Sequence, residues 1–250
     1  MNDERPLLRV ENVTRTYGGI PVLSDVSLDV HPGITAVIGP NGSGKSTLLR
    51  TIVGETAPID GTITHLGPDA DRPIGHLPQR VPFRDGFTAR ETLAFYARLV
   101  GDDPEKHLER VGLADAGDRR VEALSGGMRR LLGIAQATIG DPPVIVLDEP
   151  TSGLDPGMRE RAFELAADHA DSDTAIVMSS HDLELVDRYA DRIVCLVHGS
   201  IGAAGSIRDL RESYDVETID ELYRSVVHGD ANGDQREPKR AVHITGVSSP

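Results

Sequence analysis

A glycine-rich run that ends in lysine, serine and threonine stands between an apolar β-branched run, Ile34 to Ile38, and a helix-like run, Leu48 to Val53. Its spacing, G-x-x-x-x-G-K-S, is typical of phosphate-binding loops, because the glycines let successive backbone N–H groups converge on phosphate oxygens. A glycine-rich turn with a chance lysine is the alternative, and the position between strand and helix argues against it. The predicted phosphate-binding residues are Gly39, Pro40, Asn41, Gly42, Ser43, Gly44, Lys45, Ser46 and Thr47.

Two side chains of this loop could carry charge and metal chemistry. We expect Lys45 to reach the β- and γ-phosphates of a nucleotide, and the Ser46 hydroxyl to bind Mg²⁺. The positive end of the following helix dipole adds to the attraction for phosphate. The loop therefore predicts a nucleoside triphosphate site.

Two carboxylates follow the buried apolar run Val144 to Leu147. Asp148 stands where a parallel sheet presents residues to a ligand, so it is predicted to bind Mg²⁺ directly or through a water. Glu149 is predicted to orient or deprotonate the water that attacks the γ-phosphate. An isolated Asp-Glu pair would be read as a solvated strand end, but the phosphate loop makes a catalytic role the better interpretation.

The elements that must position these groups change along the chain. Short β-branched runs dominate the first third, and residues 88–139 have helical periodicity, with Thr88 and Glu91 spaced as a capping box. Unbroken apolar strands then alternate with helices, which predicts a buried parallel sheet. Residues 228–250 are rich in Gly, Asp, Pro and Ser, and are predicted to be a disordered tail.

The order of these motifs resembles the ATP-binding cassette (ABC) ATPases that drive ABC transporters, from Leu7 to Gly205. Leu124-Ser125-Gly126-Gly127-Met128 is similar to the family's signature sequence, which implies that Ser125, Gly126 and Gly127 contact ATP bound by a second subunit. The resemblance implies an α/β fold: a P-loop NTPase core with a parallel sheet flanked by helices, an N-terminal antiparallel β subdomain and a helical insert at roughly 80–140. The ATPase domain would span residues 1–227.

Further site residues follow only from this resemblance. It implies that Gln79 contacts Mg²⁺ and the attacking water and links the nucleotide to the helical insert. It also implies that Asp155, in Ser152-Gly153-Leu154-Asp155, contacts the second subunit. His181 corresponds to the switch histidine, whose neutral imidazole can donate a hydrogen bond to the γ-phosphate. Tyr17 falls where the family stacks an aromatic ring on adenine.

Composition narrows the function classes. The 250 residues carry 26 Lys and Arg against 40 Asp and Glu, a net charge of −14, which disfavours a nucleic-acid partner. The single cysteine, Cys195, excludes a disulfide framework and a cysteine-only metal cluster. The charged start and the lack of an apolar run of about 18 residues predict no signal peptide and no membrane span.

The predicted function is Mg²⁺-dependent ATP hydrolysis by the ATP-binding subunit of an ABC transporter. Its partners would be a second ATPase copy and separate transmembrane permease subunits, and it would be cytoplasmic, held at the inner face of the membrane by the permease. The alternatives are a soluble cassette ATPase acting on ribosomes or DNA, and an ATP-gated regulatory module. The sequence around Met128, and the lack of a coordinating regulatory domain after Ser206, favour efflux over uptake.

Overall fold

The computed structural model describes residues 5–229, in which nine strands and eight α-helices are formed. In chain order these are β1 (Leu8–Tyr17), β2 (Ile20–Val30), β3 (Gly33–Ile38), α1 (Lys45–Ile52), β4 (Asp60–His65), β5 (Ile74–Leu77), α2 (Ala89–Val100), α3 (Pro104–Arg110), α4 (Gly126–Thr138), β6 (Val144–Leu147), α5 (Pro156–His169), β7 (Ala175–Ser179), α6 (Leu183–Tyr189), β8 (Arg192–Val197), β9 (Ser200–Ser206), α7 (Ile207–Tyr214) and α8 (Ile219–His228).

A six-stranded sheet with the order β5-β6-β7-β3-β8-β9 forms the centre of the fold. The first five strands run parallel, and β9 pairs antiparallel with β8. Every residue of β6 and β7 is buried, as expected for strands covered on both faces. The predicted α/β fold with a parallel sheet is confirmed. The carboxyl ends of β3, β6 and β7 lie at one edge, so the segments that follow them meet there.

A three-stranded antiparallel sheet with the order β2-β1-β4 confirms the predicted N-terminal β subdomain. Two strands of the larger sheet, β5 and β9, were not predicted from the sequence. The β5 sequence Ile-Gly-His-Leu and the Gly- and Ala-rich β9 have weak strand propensity, so tertiary pairing determines their conformation.

Three helices, α2 to α4, lie between β5, which leads to Gln79, and β6, which leads to Asp148. The predicted capping box of α2 is confirmed: Thr88 Oγ1 accepts from the Glu91 N–H (3.1 Å), and the Glu91 carboxylate accepts from the Thr88 N–H (2.8 Å). Asp103 caps α3, and its side chain accepts from the N–H of Glu105 (2.9 Å).

Helix α4 packs directly against β5 because glycines remove the side chains between them. A Cβ atom at Gly75 would lie 1.9 Å from the Ala137 carbonyl oxygen, and one at Gly133 would lie 2.5 Å from Leu77 Cδ1. Such close approach leaves little freedom for the helix to slide along the strand. The end of β5, and the Gln79 segment that follows it, are therefore held against α4.

The described residues stop one position after the last helix. His228, the first residue of the predicted tail, is instead the last residue of α8, and residues 230–250 lie outside the described part of the chain. Within residues 5–229, none of the helices combines the length and the hydrophobicity that crossing a bilayer requires.

Candidate functional site

The glycine-rich run forms a tight loop between β3 and α1. Gly42 has φ +79° with open space around it, and Gly44 has φ +105° where a Cβ atom would lie 2.7 Å from the Val22 carbonyl oxygen. Both conformations favour glycine. The glycines therefore let the chain turn tightly into the start of α1, which is the geometry of a phosphate-binding loop.

Lys45 is the first residue of α1, and its side chain turns back into the loop. Its Nζ donates to the carbonyl oxygens of Gly39 (2.8 Å) and Pro40 (3.1 Å), and the residue is 6% exposed. Burial lowers the pKa of this ammonium group, whereas Glu149 and Asp148 oppose that shift by stabilising the charged form. A phosphate in the loop would further stabilise the charge.

A buried hydroxyl in the loop bears on whether these residues fit a nucleotide. Ser43 is 3% exposed, and its Oγ has no hydrogen-bond partner. Buried hydroxyl groups normally have one. A triphosphate in the loop would supply acceptor oxygens, so the residues present fit the predicted nucleotide.

The Asp148 carboxylate lies at the end of β6 and is 1% exposed. Its Oδ1 accepts from Ser46 Oγ (3.0 Å) and from Ser179 Oγ (2.8 Å). The structure thus brings the predicted Mg²⁺ ligands of the loop and of β6 into direct contact. Ser179, the last residue of β7, holds the carboxylate from the other side.

Glu149 adopts a left-handed backbone conformation (φ +49°), which is uncommon for a residue with a side chain. Its N–H donates to Ser179 Oγ (2.8 Å), and its carboxylate contacts Gln79 Nε2 and His181 Nε2, each at 3.2 Å. An open cavity of about 630 Å³ adjoins Glu149 and His181. Two side chains from separate segments, Gln79 and His181, therefore converge on one carboxylate beside solvent.

The donor set suits Mg²⁺ shared with phosphate. In the described residues no group of three or more His, Cys, Asp or Glu side chains could hold a metal ion. Mg²⁺ in nucleotide sites binds one or two protein oxygens and completes its shell with phosphate and water. Ser46 and Asp148 supply such oxygens, so the residues fit this ion.

Other predicted residues lie on a second surface. Ser125 and Asp155 are exposed and cap α4 and α5, each accepting from the N–H three residues on (3.1 and 3.0 Å). Gly126 begins α4, and a Cβ atom at Gly127 would lie 2.8 Å from Met158 Cε. The signature segment and the start of α5 are therefore neighbours.

Tyr17 ends β1 and is 41% exposed. The guanidinium carbon of Arg15 lies 4.9 Å from the centre of its ring. The ring is thus accessible to a planar ligand, as the adenine-stacking prediction requires.

Two residues that contact the Asp148–Glu149 backbone or side chains had no predicted role. Ser179 was visible only as the polar end of an apolar strand. Arg130 was visible as a charged residue in the buried stripe of α4, where it is 8% exposed. Both act through contacts distant in sequence, which local spacing does not reveal.

Replacing Ser179 by Ala removes a donor to Asp148 and an acceptor of the Glu149 N–H. If Asp148 holds Mg²⁺, we expect the Mg²⁺ concentration for half-maximal ATP hydrolysis to rise about 10- to 100-fold, as for other outer-shell partners. The matched control is Ser180→Ala, because Ser180 Oγ is also buried but accepts from the Asp182 N–H (3.0 Å). Equal Mg²⁺ requirements in a folded Ser179→Ala protein and the wild type would contradict this role.

Comparison with known proteins agrees with this geometry. The ABC transporter family profile matches residues 23–152. The Nod factor export ATP-binding protein I of Rhizobium etli is 37% identical over 94% of this chain and 78% of its own length. The zinc import ATP-binding protein ZnuC of Paracoccus denitrificans is 38% identical over 80% of each chain.

Solved structures show the same architecture. The ATP-binding subunit of an ABC transporter superposes with a TM-score of 0.79 at 28% identity, covering 88% of this chain and 99% of the other. A dimeric bacterial ABC transporter cassette, MJ0796, has a TM-score of 0.73 at 25% identity, covering 80% and 99%. The chain belongs to the ABC transporter family, as an ATP-binding subunit with ATPase activity.

Proposed function

We propose that this chain hydrolyses ATP with Mg²⁺ at the loop and strand ends described above, and that the reaction drives substrate export through a separate membrane protein. The observation that carries the catalytic part is the Glu149 carboxylate, held between Gln79 and His181 one residue after the Asp148 contact with Ser46. These contacts bring together, at one edge of the sheet, the groups proposed to bind phosphate, to bind Mg²⁺ and to position the attacking water.

Each residue has a role in phosphoryl transfer. The loop N–H groups and Lys45 bind the β- and γ-phosphates, while Ser46 and Asp148 hold Mg²⁺. When bound, Mg²⁺ neutralises charge on the phosphate oxygens. Glu149 orients the attacking water and accepts its proton, and His181 donates a hydrogen bond toward the γ-phosphate.

Gln79 bonds to the same carboxylate from the segment that leads into α2. Its side chain is exposed, so it can contact either the Mg²⁺-bound nucleotide or Glu149. We assign it the link between nucleotide and helical insert. Tyr17, exposed at the end of β1, stacks on adenine.

A second copy completes the site. Ser125 and Asp155 are exposed helix caps on neighbouring segments, so they are available to a facing subunit. Ser125, with the N–H groups at the start of α4, contacts the γ-phosphate bound by that subunit. The dimeric form of a structural neighbour supports this arrangement. ATP then favours the closed dimer through its higher affinity for that state.

The membrane partner contacts α2 and the segment before it. Phe95 and Leu99 are 52% and 72% exposed on one helix. Beside them Phe83, Phe87 and Tyr96 line a groove of about 150 Å³. We assign this groove to a short helix of the permease, which places the chain at the inner face of the membrane.

Export is favoured over import by the extent of similarity. The export ATP-binding protein of Rhizobium etli aligns over 94% of this chain, whereas the zinc import protein aligns over 80% at nearly equal identity. The additional aligned length supports the export assignment. The cargo is selected by the permease.

Glu149→Gln is the sharpest test of the catalytic assignment. The amide keeps the side-chain volume but loses the basicity that removes the water proton, so we expect ATP hydrolysis to fall at least 100-fold. ATP affinity should change less than about threefold, and a stable ATP-bound dimer should accumulate on size-exclusion chromatography with Mg²⁺.

Lys45→Ala is the matched control, because it should lose both ATP binding and the dimer. Two results would contradict the assignment: near wild-type turnover in Glu149→Gln, or monomers alone in both Glu149→Gln and wild type at saturating ATP.

The export assignment is tested with the complete transporter in inside-out vesicles, where the ATPase faces the medium. We expect ATP to drive cargo from the medium into the vesicle lumen, and the Glu149→Gln protein to abolish uptake. ATP-driven accumulation on the ATPase side, or dependence on an external binding protein, would show that the chain serves import.

A further inference from the structure

The guanidinium group of Arg130 is buried in the body of the protein, where it bonds to main-chain oxygens. Arg130 is 8% exposed, although it belongs to a helix whose first residues are at the surface. Its donors contact the carbonyl oxygens of Pro78 (Nη1, 3.0 Å), Gln79 (Nη1, 2.9 Å), Pro150 (Nε, 3.3 Å), Glu149 (Nη2, 2.5 Å) and Asp148 (Nη2).

These five oxygens belong to two separate segments of the active site. Nη1 bonds to residues 78–79, which follow β5, while Nη2 and Nε bond to residues 148–150, which follow β6. A planar guanidinium with donors on three nitrogens can bind both segments at once, whereas one ammonium nitrogen cannot span them. Arg130 therefore fixes the distance between the Gln79 and Glu149 backbones.

The same side chain joins the active site to the signature segment. Ser125 caps α4, and Arg130 lies five residues further along that helix. At 1.5 Å per residue the two positions are about 7–8 Å apart along the axis. Because Ser125 and Arg130 lie on one continuous helix, a movement of its first turn would also act on the Arg130 carbonyl contacts.

We infer that Arg130 is a positioning residue for ATP hydrolysis, which holds Glu149 and Gln79 in register and transmits to them the contact of Ser125 with the facing subunit. The inference rests on the proposed role of Glu149 as the water-orienting base. Each catalytic centre would thus sense, through its own α4, whether Ser125 has engaged the ATP bound by the facing subunit.

The geometry at Glu149 makes such support necessary. Its left-handed backbone (φ +49°) is an unfavourable conformation for a non-glycine residue, and it persists only when neighbouring contacts hold it. The Glu149 carbonyl is bonded by Arg130 and its N–H by Ser179. Loss of the arginine contact is expected to move the carboxylate, and displacements of about 1 Å can reduce rates about 100-fold.

Arg130→Gln tests the inference, because a positioning residue should affect the rate of ATP hydrolysis but not the affinity for ATP. We expect the single-turnover rate of ATP hydrolysis to fall at least about 30-fold, whereas the Kd for ATP changes less than about threefold. Arg130→Lys keeps the positive charge but can donate to fewer of the five carbonyl oxygens. Its single-turnover rate should therefore lie between those of Arg130→Gln and wild type. If Arg130→Gln does not fold, the lysine variant carries the same comparison.

Arg72→Gln is the matched control. Arg72 is also partly buried, and its Nη1 donates to the carbonyl oxygens of Gln136 (2.7 Å) and Ile139 (3.0 Å) at the other end of α4. We expect this variant to lower Tm, as Arg130→Gln does, but to keep the hydrolysis rate within about twofold. Equal rate losses in the two variants, or a wild-type rate in folded Arg130→Gln, would overturn the inference.

A double-mutant cycle with Glu149→Gln separates this inference from the catalytic proposal. If Arg130 acts through Glu149, adding Arg130→Gln should lower the slow residual rate of Glu149→Gln by less than about threefold. A further loss of about 30-fold would mean that Arg130 acts independently of Glu149, and the inference would be wrong. Wild-type turnover in Glu149→Gln alone would instead refute the catalytic proposal.

Discussion

The carboxyl end of β6 places two carboxylates next to each other, and the surrounding groups must hold both in position. Asp148 is almost fully buried, and Glu149 follows in a strained backbone conformation. Burying such groups is costly unless hydrogen bonds and opposite charges compensate. Ser46, Ser179 and Lys45 provide this compensation, together with the Arg130 bonds to the carbonyl oxygens of the same residues. The rest of the sheet and its helices serve to bring these groups to one edge.

In the proposed mechanism this arrangement would connect ATP hydrolysis to movement. The groups around Glu149 come from the segment before α2, from α4 and from the end of β7, so a bound γ-phosphate would act on several elements together. The helices of these segments also carry the exposed Ser125 cap, on α4, and the apolar surface at Phe95 and Leu99, on α2. With the proposed partners, conformational change would pass from the nucleotide to a facing subunit and to the membrane protein, because packed elements move as units.

Local sequence pattern predicts the parts of the site that are contiguous in the chain, and in the fold the loop and the strand end meet at the Ser46–Asp148 contact. The phosphate loop and the Asp148–Glu149 pair were predicted from spacing, since a strand, a turn and a helix start define their geometry. Gln79, Ser125, Asp155 and Tyr17 have no distinctive chemistry of their own, and only the resemblance to a family identified them; their roles stay predictions. Strand β5 has weak propensity, so no local pattern indicated it.

The support for the two carboxylates could not be predicted from sequence. Ser179 lies 31 positions from Asp148, and Arg130 lies 18 positions from it, so their bonds depend on how β6, β7 and α4 pack. A serine at a strand end and an arginine in a helix are ordinary residues until the tertiary structure gives them partners. The roles of Ser179 and Arg130 can therefore be recognised only from the tertiary structure.

Thermal unfolding of Asp148→Asn tests whether the Asp148 carboxylate is held in place to bind Mg²⁺ together with ATP. Asparagine keeps an Oδ1 atom that can accept from Ser46 and Ser179 but removes the charge. We expect a Tm without nucleotide lower than that of the wild type, because the buried Lys45 and Arg130 cations lose the stabilising charge of Asp148. We also expect that the additional rise in Tm given by ATP with Mg²⁺, relative to ATP with chelator, is lost. If the Tm of Asp148→Asn with ATP rises with Mg²⁺ as much as that of the wild type, Asp148 does not bind Mg²⁺ in the nucleotide site.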